Sequence, residues 1–238
     1  MLRRLVESST PLSATELAKE LGLHQSSISR VLATLIEAGY VRKDERGRFV
    51  PDYGVITLAA ETTRLPLLTR PLPVFREFLQ EHPTLTITTA MLWRSEMIYL
   101  TRSSSGAPTH LYEYTGNTGF PLHQSAPGLR LLLDLPRAQA VELLAASRAR
   151  HGWGGDRDVV PADERGVLAA ARERCDHDVL VLPGWVAPGE LSGAIPVRTS
   201  EPHPVALAVV VRDGAMGADE LRLLLHRVRR DLEAAFAE

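Results

Sequence analysis

The chain has 238 residues, 45% of them hydrophobic and 24% charged, with a net charge of −2, enough to bury a sizeable core as one large or two modest domains. No apolar run approaches the roughly 18 residues of a membrane span, and "MLRRLVESST" lacks the long apolar stretch and cleavage site of an export signal, so a soluble, cytoplasmic protein with no membrane partner is expected. A lone cysteine, Cys175, excludes an internal disulfide framework, and eight histidines with no pair at i, i+4 predict no metal site and no metal cofactor.

Charge is uneven along the chain. Residues 1–50 sum to +2 and the remainder to −4, a mildly basic head on an acidic body. Within the head, Ser13 followed by Glu16 predicts a capping box that starts a helix at Ala14. Ala14, Leu17, Ala18 and Leu21 mark one helical face, and Gly22 ends the helix. A second stripe, Ile28, Val31, Leu32, Leu35 and Ile36, predicts another helix after a short glycine turn. Opposite that stripe lie Ser26, Arg30, Ala33 and Glu37, with Ser27 and Thr34 beside them.

Two helices joined in this way form a helix-turn-helix, whose second helix reads base edges in the major groove. Gln25, Ser26, Ser27, Ser29, Arg30 and Thr34 are the candidate DNA contacts on that helix, since arginine can grip guanine O6 and N7 and hydroxyls can reach bases or phosphates. "YVRKDERGRFV" then predicts a hairpin turning at Asp44 to Gly47, which carries Arg42, Lys43, Arg46 and Arg48 to the edge of the reading helix. The bland alternative is an ordinary three-helix domain with a solvated charged hairpin. A basic wing directly after a helix whose first three turns carry no acid favours double-stranded DNA.

Residues 1–53 are accordingly expected as a winged helix-turn-helix, and 54–82 as a linker helix and proline-rich connector interrupted at Pro66, Pro71 and Pro73. From residue 83 to 238, β-rich runs such as "TLTITTAML", "EMIYLTRS" and "HLYEYT" intermix with helical ones, which predicts an α+β domain built on an antiparallel sheet covered by helices.

Four stretches, "TELAKELGLHQSSISRVLATLIEAGYVRKDERGRFV", "EMIYLTR", "PLHQSAPGLRLLLDLP" and "GAIPV", resemble in order the IclR family of bacterial transcription regulators. The resemblance implies a winged helix-turn-helix, a dimerising linker helix and a C-terminal GAF-like effector-binding domain. It also implies a homodimer or dimer of dimers on a palindromic operator, repressing or activating nearby genes in response to a small molecule. The chain departs from the family in two places. Ser192 stands where relatives carry a cysteine, and "ALAVVV" replaces a serine-containing strand, so the effector wall is expected to be dry and the effector a larger aromatic or aliphatic acid. The first helix is also shorter than in relatives, and its packing is expected to be incomplete.

For the effector, the helix start after "PLHQSAPG" would offer the N–H groups of Ala126, Gly128 and Leu129 to an anion, with Ser125 beside them, while Met91, Trp93, Tyr112 and Trp185 would supply apolar walls and Ser192 a polar point. Each aromatic or methionine could equally be plain core, and Ser125 only a helix cap. His123 with Ser125 and Cys175 with His177 invite an enzyme reading, but residues two apart do not face each other on a helix and no nucleophile motif frames them, so no catalytic residues are expected. The competing readings are a ligand-responsive DNA-binding regulator, a DNA-binding protein whose second domain only oligomerises, and an enzyme with a DNA-binding head.

Overall fold

A computed structural model describes residues 1–104, 110–113, 120–154, 158–212 and 214–237. The chain forms two compact units, Met1–Arg64 and Leu65–Glu238.

In the first unit, α1 (Leu2–Glu7), α2 (Ala14–Leu21) and α3 (Gln25–Glu37) enclose a small core of Leu5, Leu12, Leu17, Ile28, Leu32 and Val41. The short first helix buries Leu5 in this core and leaves Val6 exposed. The capping box forms: Ser13 Oγ accepts from the Glu16 N–H, and the Glu16 carboxylate accepts from the Ser13 N–H. Gly22 takes the left-handed conformation, φ 63°, that closes α2 at low cost. The stripe on α3 is narrower than its sequence suggests. Ile28 and Leu32 are buried but Val31 and Ile36 are exposed, because helices of six and eight residues cover only one line of side chains.

A wing follows, β1 (Val41–Lys43) paired antiparallel with β2 (Phe49–Pro51), and Leu12 bridges to Phe49 as a short third edge. Asp44 shapes its turn by accepting from the Arg46 and Arg48 N–H groups. The helix α4 (Gly54–Thr62) begins where the Gly54 N–H donates to the Gly39 carbonyl; a β-carbon at Gly54 would stand 2.2 Å from that oxygen, so only glycine fits. The apolar side chains of α4 find no core: Ile56 and Leu58 are exposed, and none of its residues is buried.

The second unit is a seven-stranded antiparallel sheet in the order β5-β4-β3-β9-β8-β7-β6, formed by β3 (Thr86–Trp93), β4 (Glu96–Ser104), β5 (His110–Glu113), β6 (Cys175–Asp176), β7 (Val179–Pro183), β8 (Leu191–Val197) and β9 (Val205–Val211). Alternation along the strands gives the two faces different characters. Large side chains, among them Ile87, Ile195, Leu207 and Val209, pack under α5 (Pro66–Thr69), α6 (Pro71–Glu81) and α10 (Ala218–Ala237). Small ones, Ala90, Ala194, Ala206 and Ala208, face α7 (Ala126–Leu132), α8 (Arg137–His151) and α9 (Glu164–Glu173). All seven residues of α7 are buried.

The proline-rich segment is divided differently from the sequence expectation. Pro66 and Pro71 each sit in a first helical turn, and the segment they start packs into the second unit through Leu67, Leu68, Phe75 and Phe78, all buried. Burying such a side chain is worth about 1.5–3 kcal/mol, so together the four carry as much as the whole net stability of an ordinary domain, about 5–15 kcal/mol. A fragment of residues 65–238 is therefore expected to unfold cooperatively in urea, and a fragment of 83–238 to show no cooperative transition; a sharp transition in the shorter fragment would show that α5 and α6 are dispensable.

Candidate nucleic-acid interface and effector pocket

The candidate reading face of α3 is open. Gln25, Ser26, Ser27, Ser29, Arg30 and Thr34 are exposed, and among the described residues the Arg30 guanidinium makes no ion pair. The Gln25 amide donates to Thr15 Oγ1 at 3.4 Å, and Thr34 Oγ1 donates back to the Arg30 carbonyl at 3.3 Å, which leaves the threonine hydroxyl only its acceptor side.

The four basic wing residues differ in their commitments. Arg46 is exposed and, among the described residues, unpaired. Lys43 Nζ lies 5.4 Å from the centre of the Phe49 ring, and Arg42 Nε is 4.0 Å from an Asp52 oxygen, both weak restraints at exposed sites. Arg48 is engaged: one terminal nitrogen donates to both oxygens of Glu16 at 2.6 Å, an exposed pair that ties the wing to the start of α2 and with which a phosphate would have to compete. Bonds from the Ser13 backbone and hydroxyl, and then Arg48, lower the Glu16 pKa from 4.5 to about 2.

In the second unit a cavity of about 190 Å³ lies between the small-residue face of the sheet and the start of α7. Its floor is two rows of the sheet: Thr86, Val210 and Ser192 in one, Arg102, Thr88 and Ala208 in the next. Tyr99 and Phe120 form one wall, their rings edge to face at 5.5 Å, and Gln124, Ala126, Pro127 and Val186 border it from above. At one end Arg212 stands 3.6 Å from the shielded Glu190 carboxylate.

Of the expected effector residues, the fold brings Ala126 and Ser192 to this cavity and takes others away. Met91 and Trp93 belong to the opposite sheet alternation, Met91 packing against the large-residue core and Trp93 lying under the Arg94 guanidinium. Trp185 is fully buried core, its Nε1 donating to the His123 carbonyl at 2.7 Å. The side chain of Tyr112, in β5, lies outside the described residues. Ser125 is the cap of α7: its hydroxyl accepts from the Gly128 N–H at 3.0 Å and shares a 3.0 Å bond with the Tyr99 hydroxyl. The Leu129 N–H is likewise committed, to the Ser125 carbonyl at 2.8 Å. The Gly128 and Leu129 N–H groups are thus engaged within the helix start, and of the three expected donors Ala126 is the one that borders the cavity.

The wall is also more polar than "ALAVVV" suggests. Its polar groups, Thr86, Thr88, Arg102 and Gln124, come from β3, β4 and the turn before α7; alternate polar residues on β3 were the signal available for the two threonines. The two pairs that invited an enzyme reading have their partners elsewhere. The buried His123 ring bonds the Gly154 carbonyl at 2.8 Å and stacks on Trp153, with burial lowering its pKa, while the Ser125 hydroxyl serves α7. His177 pairs with Asp176 at the tip of the β6–β7 hairpin, and burial raises the Cys175 thiol pKa. Among the described residues no group of three His, Cys, Asp or Glu could hold a metal ion, and no helix is long and apolar enough to cross a membrane.

Residues 1–45 match the sequence model of the IclR helix-turn-helix domain. The match covers 45 of the 238 residues and marks the first unit as an IclR-type helix-turn-helix. The chain is 27% identical over 180 residues to the transcriptional repressor IclR of Escherichia coli (strain K12), a match covering 73% of this chain and 64% of the repressor, so it spans less than two thirds of that relative. Its fold is that of an IclR family transcriptional regulator from Brucella abortus (TM-score 0.68, 19% identity, covering 99% of this chain and 88% of the other). It is also that of an IclR homolog from Microbacterium hydrocarbonoxydans in complex with 4-hydroxybenzoate (TM-score 0.62, 20% identity, 99% and 96%).

The Glu16 arrangement gives a titration with a defined sign. A carboxylate whose folded pKa lies below its unfolded value favours the folded state above the unfolded pKa and loses that contribution as pH falls through the folded one. Here the loss runs from about 4.5 down to about 2. The Glu16 side-chain resonance is expected to titrate near 2 in the full chain and to move upward in Arg48→Ala; a midpoint near 4.5 in the unaltered chain would show that the Ser13 and Arg48 bonds do not hold in solution.

Proposed function

We propose that the chain is a sequence-specific DNA-binding transcriptional regulator whose operator affinity changes when a small acid occupies the cavity of the second unit. The observation that carries the reading is the open face of α3, with Ser26 and Arg30 exposed and the cationic wing following it. Arg30 reads a base, while Arg42, Lys43 and Arg46 contact phosphate. Arg48 acts indirectly, by holding the wing against α2.

The exposed apolar side chains of α4, Ile56 and Leu58, support a second copy of the chain as the homodimer partner, as the family resemblance implies. A two-fold dimer reads two half-sites whose centres lie about 10 bp or a multiple apart, hence a palindromic operator. The relative that holds 4-hydroxybenzoate supports an aromatic acid as the kind of effector. A protein of this kind works in the cytoplasm, beside the genes it controls.

Arg30→Ala is expected to weaken operator binding by about 1–3 kcal/mol and to relax preference at one base per half-site, whereas Lys43→Ala and Arg46→Ala lower affinity on every sequence and reduce the salt slope by about one for each phosphate no longer neutralised. Fluorescence anisotropy over a salt series on operator and random DNA separates these effects; equal weakening on both DNAs for Arg30→Ala would reduce Arg30 to a phosphate contact, and unchanged slopes in both wing variants would refute the wing. If aromatic acids neither bind the full chain nor change its operator affinity, the reading of the second unit as an oligomerisation domain without a ligand is favoured; coupled binding shifts both affinities by the same factor.

A further inference from the structure

Two unpaired hydroxyls on the cavity floor narrow what it can hold. A cavity of about 150 Å³ lined by apolar side chains accepts benzene, so about 190 Å³ has room for one ring with a small group at either end. Tyr99, Phe120, Pro127 and Ala208 offer such a ring apolar surface. Several polar groups on the wall are already in use. The Thr88 hydroxyl donates to the Thr101 carbonyl at 2.7 Å, the Tyr99 hydroxyl shares a bond with Ser125, and Arg212 faces the Glu190 carboxylate. Ser192 and Thr86 differ: both line the cavity, and among the described residues neither hydroxyl has a hydrogen-bond partner. The Gln124 amide, also without one, borders the opposite wall, whereas the two hydroxyls share one row of the floor.

Ser192 is 5% exposed, so a ligand that displaces water from its hydroxyl without replacing the hydrogen bond is penalised. One group cannot answer both hydroxyls. They stand on either side of Val210, Thr86 on β3 and Ser192 on β8, so two strand spacings, about 10 Å, separate their backbones. That span exceeds the reach of a single carboxylate and suits a six-membered ring with an oxygen-bearing group at each end. Glu190 decides which group goes where. It stands two residues before Ser192 and lines the same cavity, its side chain 13% exposed, while its partner Arg212 is 64% exposed and offsets its charge only weakly. A ligand carboxylate beside Ser192 would meet that shielded negative charge. A neutral hydroxyl avoids the repulsion.

We propose that Ser192 is a specificity-determining residue of this cavity, hydrogen-bonding a neutral hydroxyl at one end of a single-ring acid whose carboxylate lies at the Thr86 end. The effector class is then a hydroxylated ring acid, not an alkylated one. A serine hydroxyl is donor and acceptor at once, so it matches a ligand hydroxyl in either sense. The inference rests on the reading of the cavity as an effector site, and the experiment separates the two.

Calorimetric titrations of the full-length chain would use 4-hydroxybenzoate and 4-methylbenzoate, which share a ring and a carboxylate and differ in one small group. They would be repeated on Ser192→Ala and Thr86→Val, with melting temperatures to verify folding. On the unaltered chain the hydroxylated acid is expected to bind at least tenfold tighter. Ser192→Ala should bring the two within threefold by weakening 4-hydroxybenzoate alone, whereas Thr86→Val should weaken both acids alike and leave their ratio in place. Equal binding of the two acids by the unaltered chain, or a ratio that Ser192→Ala leaves intact, would overturn the role of Ser192 while the effector site stands, since binding itself persists. A ratio erased by Thr86→Val and kept by Ser192→Ala would place the hydroxyl at the other end and overturn the assignment. Silence from both acids would overturn the effector-site reading together with this inference. If Ser192→Ala fails to fold, Ser192→Cys, whose thiol is a weak donor and acceptor, should lower the ratio at least threefold, and an unchanged ratio there would overturn the proposal.

Discussion

The alternation of large and small side chains along β9 sets how the second unit is built. Val205, Leu207, Val209 and Val211 fill one sheet face, while Ala206 and Ala208 leave the other nearly flat. A face of alanines lets a helix approach closely, and close packing is where dispersion and apolar burial both gain most. The helix that takes the place is α7, buried along its whole length. Its start at Ala126 and Pro127 fixes where the flat face ceases to be covered, and the row Thr86–Val210–Ser192 runs on beside it. The cavity is a consequence of that edge: a helix begins over a sheet whose small side chains continue.

Burying α7 obliges its polar groups to find partners, and they explain much of the surrounding structure. Arg130, 3% exposed, donates to the Asp178 carbonyl at 2.6 Å and to the carboxylates of Asp134 and Asp178 at 2.7 and 3.2 Å. Asp178 can present carbonyl and carboxylate together because it stands at the tip of the β6–β7 hairpin with φ 69°, a conformation to which aspartate is better suited than most residues. Ser125 serves the other end of the helix, joining the Gly128 N–H to the Tyr99 hydroxyl in the cavity wall.

Local signals are legible in the sequence and long-range parity is not. The capping box at Ser13 and Glu16, the Gly22 stop, the hairpin at Asp44 to Gly47 and the order of strands and helices rest on spacings within a few residues, and the structure carries all of them. Membership of the cavity depends instead on which sheet face a residue joins. Tyr99 and Arg102 are three apart, an odd spacing that should place them on opposite faces. A bulge in β4, where the register slips between Thr89 and Ala90 of β3, leaves Leu100 on the large-residue face and Tyr99 with Arg102 on the small one. No composition cue marks that slip. Side-chain type alone points Trp185 and Met91 to a ligand wall, and packing claims both. Arg48 illustrates the same limit in the first unit, since nothing local to the wing reveals that Glu16, 32 residues earlier, receives it.

The wall formed by Gln124, Val186 and Glu190 is held by bonds that do not involve a ligand. Gln124 follows His123, whose carbonyl holds the Trp185 indole and whose ring holds Gly154; Val186 follows Trp185; and the loop it stands in is closed by the Gly184 N–H on the Glu190 carbonyl at 2.7 Å. Walls held in this way lose little conformational entropy if a ligand fills the cavity, so the cost of ordering these loops is small. The same rigidity makes a ligand that exceeds the space expensive, because close-packed walls yield only by straining side chains already packed together. Any ligand of such a site would therefore be selected steeply by size, and only weakly by groups that meet no polar partner on the wall.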